Sequence, residues 1–108
     1  MIKNIQYIDP ADLAKFLNQE DTILLDVREV GEFTQDHISK AVNLPLSDWD
    51  IEKANNICLN KKSVIVYCRS GHRTYVHQEQ FAQIQADEVM ILNGGILSWR
   101  LYQSTCNI

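Results

Sequence analysis

Ile23-Leu24-Leu25-Asp26-Val27 and Val64-Ile65-Val66-Tyr67 are almost unbroken apolar runs, with none of the alternation that marks a strand solvated on one side. Strands of that composition are buried on both faces, the condition of a parallel sheet covered by crossover helices. The surrounding segments fit. Ile5 to Ile8 reads as a short strand, and Asp9-Pro10 supplies an N-cap and a proline at the first helical position ahead of Leu13, Phe16 and Leu17 at helical spacing. Glu29 to Gln35 forms a short helix or turn, Ala41 to Leu44 before Pro45 a weaker strand, and Asp48 to Leu59 a helix with an acidic start. After the second apolar run, His72 to Gln85 reads as one helix, Glu88 to Leu92 as the last strand, and Ile96 to Tyr102 as a terminal helix. The expectation is an α/β fold: a five-stranded, mostly parallel sheet with helices on both faces, in one domain over residues 1–108.

Ten Lys and Arg against fourteen Asp and Glu give a net charge of -4, which argues against a general binder of nucleic acid or anionic membrane. The first residues carry no signal-like apolar stretch and no run is long enough to cross a bilayer, so a cytoplasmic location is expected. Cys58, Cys68 and Cys106 form no C-x-x-C pair, and His72 and His77 are five apart, off the spacing of a helical ligand pair. Neither a disulfide framework nor a metal site is expected.

In a parallel sheet ligands gather at the carboxyl ends of the strands. Three polar segments follow strands here and should share one edge: Asp26 with Arg28, the stretch Cys68-Arg69-Ser70-Gly71-His72-Arg73, and Asn93-Gly94-Gly95. A core cysteine gains nothing from two arginines and a glycine beside it, whereas a nucleophile or anion cradle uses all of them. Backbone N–H groups converge at such a strand-to-helix turn, so the thiolate of Cys68 is favoured and a dianion is drawn toward it. Arg73, at C-x4-R spacing, is expected to bring its side chain or N–H back to the anion. Arg69 reads equally as a direct ligand and as a charge that raises the local potential, Gly71 as the residue that closes the loop, and Ser70 as a donor. His72 could act as an acid or base but lacks an identified carboxylate partner and reads as a bystander.

Asp26 is expected to bond the loop backbone or His37, and Arg28 to add positive potential; the plain alternative is an ordinary ion pair after a strand. Trp49 and Trp99 read as core, with Trp99 also placed to wall the pocket. Cys58 reads as a small buried residue, and Cys106 as part of a tail that leaves a resolving-thiol role open.

On these residues the chain resembles the rhodanese domain family over nearly its whole length. Leu24-Leu25-Asp26-Val27-Arg28-Glu29 with Glu32-Phe33 and His37-Ile38 is similar to the family's D-V-R-E…E-F…G-H-I segment, and Ala41-Val42-Asn43-Leu44-Pro45 to its A-x-N-I-P strand. Val66 to Thr74 is similar to its V-Y-C-R-S-G-x-R-S/A loop, and Asn93 to Trp99 to its L-x-G-G-I-x-x-W end. Asp36, Ser39-Lys40 and Ala86-Asp87 depart from the pattern at loops away from Cys68. The resemblance implies a thiosulfate:acceptor sulfurtransferase in which Cys68 carries a persulfide, with cyanide, a thiol or a sulfur-accepting protein as acceptor and no metal or organic cofactor. Its rivals are a phosphatase or arsenate reductase of the related cysteine-loop class, whose C-x5-R loop is one residue longer, and a non-catalytic persulfide-carrier or sensing module.

Overall fold

The structure is a computed structural model that describes residues 4–106. Five parallel strands form the sheet: β1 (Gln6–Ile8), β2 (Thr22–Asp26), β3 (Val42–Asn43), β4 (Ser63–Tyr67) and β5 (Glu88–Leu92). They lie in the order β1-β5-β4-β2-β3, every neighbouring pair parallel. The two apolar runs are thus β2 and the central β4, side by side, with Leu25 opposite Val66 and Asp26 opposite Tyr67.

Alternate residues of these strands serve two separate cores. Leu25, Val64, Val66, Val89 and Ile91 pack with Ala54, Phe81 and Ile84 beneath α3 (Ile51–Ile57) and α5 (Gln78–Phe81). Leu24, Ile65, Tyr67, Met90 and Leu92 pack with Leu13, Ile96 and Trp99 beneath α1 (Pro10–Phe16) and α6 (Gly95–Cys106). Both faces are therefore covered, and each aliphatic side chain taken wholly from water contributes about 1.5–3 kcal/mol. Asp9 and Pro10 start α1 as expected, the Asp9 N–H donating to Asp12 Oδ2 at 3.1 Å. The short α2 (Val30–Gln35) follows β2.

Beyond shifts of a residue or two at element ends, three regions differ from the sequence reading. The helix expected from Asp48 begins later, because Leu46–Asp48 forms a 3-10 turn and Asp50 caps α3 by accepting from the Glu52 N–H at 2.9 Å. The single helix expected over His72 to Gln85 is two, α4 (His72–Val76) and α5, broken at His77. Val76 is 58% exposed, and with Thr74 it makes a β-branched stretch of low helix propensity, held mainly by burial of Thr74 and Phe81. Cys106, assigned to a tail, instead belongs to α6.

Candidate active site

β5, β4 and β2 are adjacent and parallel, so the three polar segments do meet at one edge. Cys68 leaves the end of β4 with 1% of its surface exposed. Its Sγ accepts the Gly71 N–H at 3.2 Å and lies 3.6 Å from Thr74 Oγ1. Thr74 is fully buried and its hydroxyl also reaches the Gly71 carbonyl at 3.1 Å. A hydroxyl has one proton. It can sit on the Gly71 carbonyl while Cys68 is a thiol donating to Oγ1, and turn to the sulfur when the sulfur is an anion.

Two glycines make this loop geometrically possible. Gly71 caps α4 with φ 98°, the left-handed conformation that brings its N–H back over the sulfur. Gly95 has φ 61° and lies flat against the loop, where a Cβ would collide with the carbonyl oxygens of Cys68 and Arg69. Those carbonyls are held by the first turn of α6: Ile96 N–H donates to Cys68 O at 2.9 Å and Leu97 N–H to Arg69 O at 3.1 Å. Because a trans peptide opposes its C=O and N–H, this clasp turns the N–H groups of Arg69 and Ser70 away from α6.

The arginines divide into paired and unpaired. Arg73 does not return its side chain to the sulfur as the spacing suggested. Its guanidinium is bidentate to Glu32 of α2, with both N–O distances 2.8 Å and both side chains 34% exposed. The hydrogen bonds with Arg73 hold Glu32 down at about 2, and the same pair, with a smaller contribution from the charge of Cys68, raises Arg73. Arg28 is buried, 2.7 Å from Asp26, and also donates to the Asp36 carbonyl at 2.7 Å. Arg69 is exposed and has no carboxylate partner among the described residues. Ser70 and His72 are exposed beside it.

Asp26 bonds neither the loop backbone nor His37. It accepts from Arg28 and from the Tyr67 hydroxyl at 2.6 Å, and that hydroxyl accepts the Ile38 N–H at 3.1 Å. Burial, then the bond to Asp26, raises the Tyr67 phenol above its ordinary range. His37 instead stacks on Phe33, with Nδ1 2.9 Å from the Phe33 carbonyl. The positive charge expected from Arg28 is spent locally on Asp26, in a polar brace beneath the loop. A cross-strand partnership explains the brace: Asp26 and Tyr67 are register neighbours on one face.

Trp99 is 8% exposed in the core under α6, 5.6 Å from the Tyr102 ring, and Trp49 meets Phe81 edge-on at 5.1 Å. Both are packing residues, Trp99 in the cluster beneath α1 and α6 and Cys68 in the one on the opposite face. Cys58 is buried in the apolar core, which pushes its thiol up to about 11. Cys106 ends α6, whose start clasps the loop; a helix of that length places it roughly 16 Å away at 1.5 Å per residue. It is out of reach as a resolving thiol within one molecule. Glu32 and Thr74 are the site residues that spacing alone did not mark, while Gly95 belongs to the Asn93-Gly94-Gly95 segment expected at this edge. No group of three or more His, Cys, Asp or Glu among the described residues could hold a metal ion.

Residues 9–102 match the family model of the rhodanese-like domain. The chain is 32% identical over 96 residues to a sulfurtransferase of Allochromatium vinosum, covering 88% of each protein. It is 31% identical to a tRNA uridine(34) hydroxylase of Onion yellows phytoplasma, over 92% of this chain and 33% of that one. Several relatives are thus much longer, and the chain spans about half or less of their length. Among solved structures, a rhodanese-related protein of Thermoplasma volcanium superposes with TM-score 0.72 at 28% identity, over 90% of this chain and 92% of that one. With the family's four sequence blocks assembled around one cysteine loop, the chain belongs to the rhodanese-like domain family.

Proposed function

We propose that the chain transfers sulfane sulfur through a persulfide on Cys68, taking it from thiosulfate or a similar persulfide donor and passing it to cyanide or a thiol, a protein thiol included. The observation that carries this reading is the 3.2 Å approach of the Gly71 N–H to Sγ, with the Arg69 and Ser70 N–H groups freed by the α6 clasp. The sulfur attacks as its anion. Its lone pair forms a bond to the outer sulfur of thiosulfate, the S–S bond of the donor breaks, and sulfite departs with that electron pair. The acceptor's lone pair then attacks the outer sulfur of the Cys68 persulfide, the Sγ–S bond breaks, and its electron pair returns to Sγ as the Cys68 anion, cyanide leaving as thiocyanate.

Each residue has a defined part. Fixed backbone N–H groups stabilise the terminal sulfur without reorganising, and Arg69, lacking a carboxylate partner, attracts the dianionic donor. Thr74 supplies a proton that follows the charge on Sγ. Arg73 is a positioning residue, tying the loop to α2 through Glu32.

The cysteine-loop phosphatase reading fares worse on the same geometry. A tetrahedral oxyanion needs a wide ring of donors, but only four residues separate Cys68 from Arg73, and both terminal nitrogens of Arg73 are engaged by Glu32. Comparing thiocyanate production from thiosulfate and cyanide with hydrolysis of an aryl phosphate tests the choice. Sulfur transfer with negligible phosphate hydrolysis is expected. The reverse would overturn the assignment, and loading of Cys68 without turnover would mark a carrier.

A further inference from the structure

At the amino end of the sheet, opposite the Cys68 loop, a cavity of about 330 Å³ lies between the α1–β2 connection and the outer edge of β2. Leu17, Ile23 and Val42 contribute apolar wall, and Lys40 and Lys61 contribute charge. The ammonium groups are anchored, Lys40 Nζ to the Leu17 carbonyl at 3.1 Å and Lys61 Nζ to the Glu20 carbonyl at 2.7 Å. Each keeps two further N–H donors. Neither forms an ion pair among the described residues, even though Glu20 also lines the cavity.

Two features mark the cavity wall. Thr22, in its wall, carries the one buried side-chain polar atom among the described residues without a hydrogen-bond partner, Oγ1. Such an orphan is costly and uncommon. The second feature is the sheet edge. β4 pairs with all five residues of β2, whereas β3 pairs only with Leu25 and Asp26, because the chain at Lys40 is in a left-handed conformation, φ 72°, just before β3 begins. Alternate residues of a strand direct their backbone polar groups to the same side. Leu44 N–H donates to Asp26 O, so Asp26 faces β3, and Leu24 and Thr22 face that way too. The Thr22 N–H is taken by Gln19, which leaves the Thr22 carbonyl and the Leu24 N–H on a side where no strand pairs.

We propose that this cavity binds the carboxyl-terminal residues of an extended peptide from a partner polypeptide. The peptide main chain pairs with Thr22 and Leu24 in the space β3 leaves open, and its terminal carboxylate meets Lys40 and Lys61. An apolar side chain packs on Leu17 and Ile23. An extended main chain is the ligand that supplies a donor and an acceptor at strand spacing, and two anchored cations without acidic partners ask for an anion at its end. The site is separate from the sulfur chemistry and does not depend on it.

The test is an amide NMR titration of the whole chain with N-acetyl-Gly-Val-Leu bearing a free carboxylate, against the same peptide as its carboxamide. Shifts are expected at Ile23, Leu24 and Val42 but not at Gly71 or Gly95, with the carboxamide at least about tenfold weaker. Lys40→Gly keeps the left-handed backbone while removing the ammonium, and Lys61→Ala removes the other; each should weaken the free acid and leave the carboxamide unchanged. Equal affinity for acid and amide, shifts confined to the Cys68 loop, or no shift at millimolar peptide would overturn the proposal. So would concentration-dependent shifts at Leu24 without peptide, which would mark a second copy of the chain as the occupant.

Discussion

Cys58 and Cys68 are equally buried, each with 1% of its surface exposed, and their surroundings make them different reagents. Cys58 caps α3 inside an apolar cluster, and burial alone pushes its thiol to about 11. Cys68 ends β4 with an N–H donor and a hydroxyl on its sulfur and a clasped loop around it. Burial without donors makes a thiol inert, and burial with donors makes an anion site. What distinguishes the two positions is backbone direction, set by Gly71 and Gly95.

The largest effect should come from exchanging the reagent. Cys68→Ser is expected to abolish sulfur transfer, a loss beyond a thousandfold on the scale of nucleophile removal, with unchanged folding by circular dichroism. Cys58→Ser and Cys106→Ser should retain activity. If Cys58→Ser alone silenced the protein, the contrast between the two thiols would be wrong.

Next comes the clasp. Gly95→Ala forces a Cβ into the Cys68 and Arg69 carbonyls at a positive φ, and should cost about 3 kcal/mol together with most turnover, read by denaturant unfolding and thiocyanate assay. Gly31→Ala is the control, since a Cβ there meets nothing. Comparable losses in the two variants would remove the clasp from the account.

The Arg73–Glu32 pair should show a smaller, pH-dependent effect. Glu32 is lowered from 4.5 to about 2, so its contribution is full above pH 4.5 and is lost as pH falls toward 2. Because both side chains are a third exposed, solvent screening limits it to about 1 kcal/mol. Glu32→Gln should therefore lower stability at pH 7 by that amount and flatten the acid limb, while Arg69→Ala should leave stability alone and raise KM for thiosulfate several-fold. An Arg69→Ala variant with unchanged KM would assign donor recruitment elsewhere.

Much of this was legible in the chain. β2 and β4 announced themselves because strands buried on both faces leave no room for alternation, and the loop announced itself because cysteine, arginine and glycine at a strand end have few joint uses. Glu32 lies 41 residues from Arg73, and only the crossover from β2 to β4 brings them together, so spacing within the loop misled about where Arg73 points. The Asp26–Arg28 pair was the plain alternative in the sequence, but the place of Tyr67 in the brace was hidden for the same reason, since strand register and not sequence distance makes it a neighbour of Asp26. The break at His77 escaped because Thr74 and Phe81 share one helical face either way. Nothing local signals the cavity beside β2, whose walls come from three separate segments.

The central claim is that Cys68, unlike Cys58, holds a sulfur atom as a persulfide. Intact-protein mass spectrometry after thiosulfate treatment, on the Cys58→Ser/Cys106→Ser variant and on Cys68→Ser, reads it directly. The first should gain the mass of one sulfur and lose it again on adding cyanide, and the second should gain nothing. Sulfur retained by Cys68→Ser, or a Cys58→Ser/Cys106→Ser protein that stays unmodified, would contradict the account.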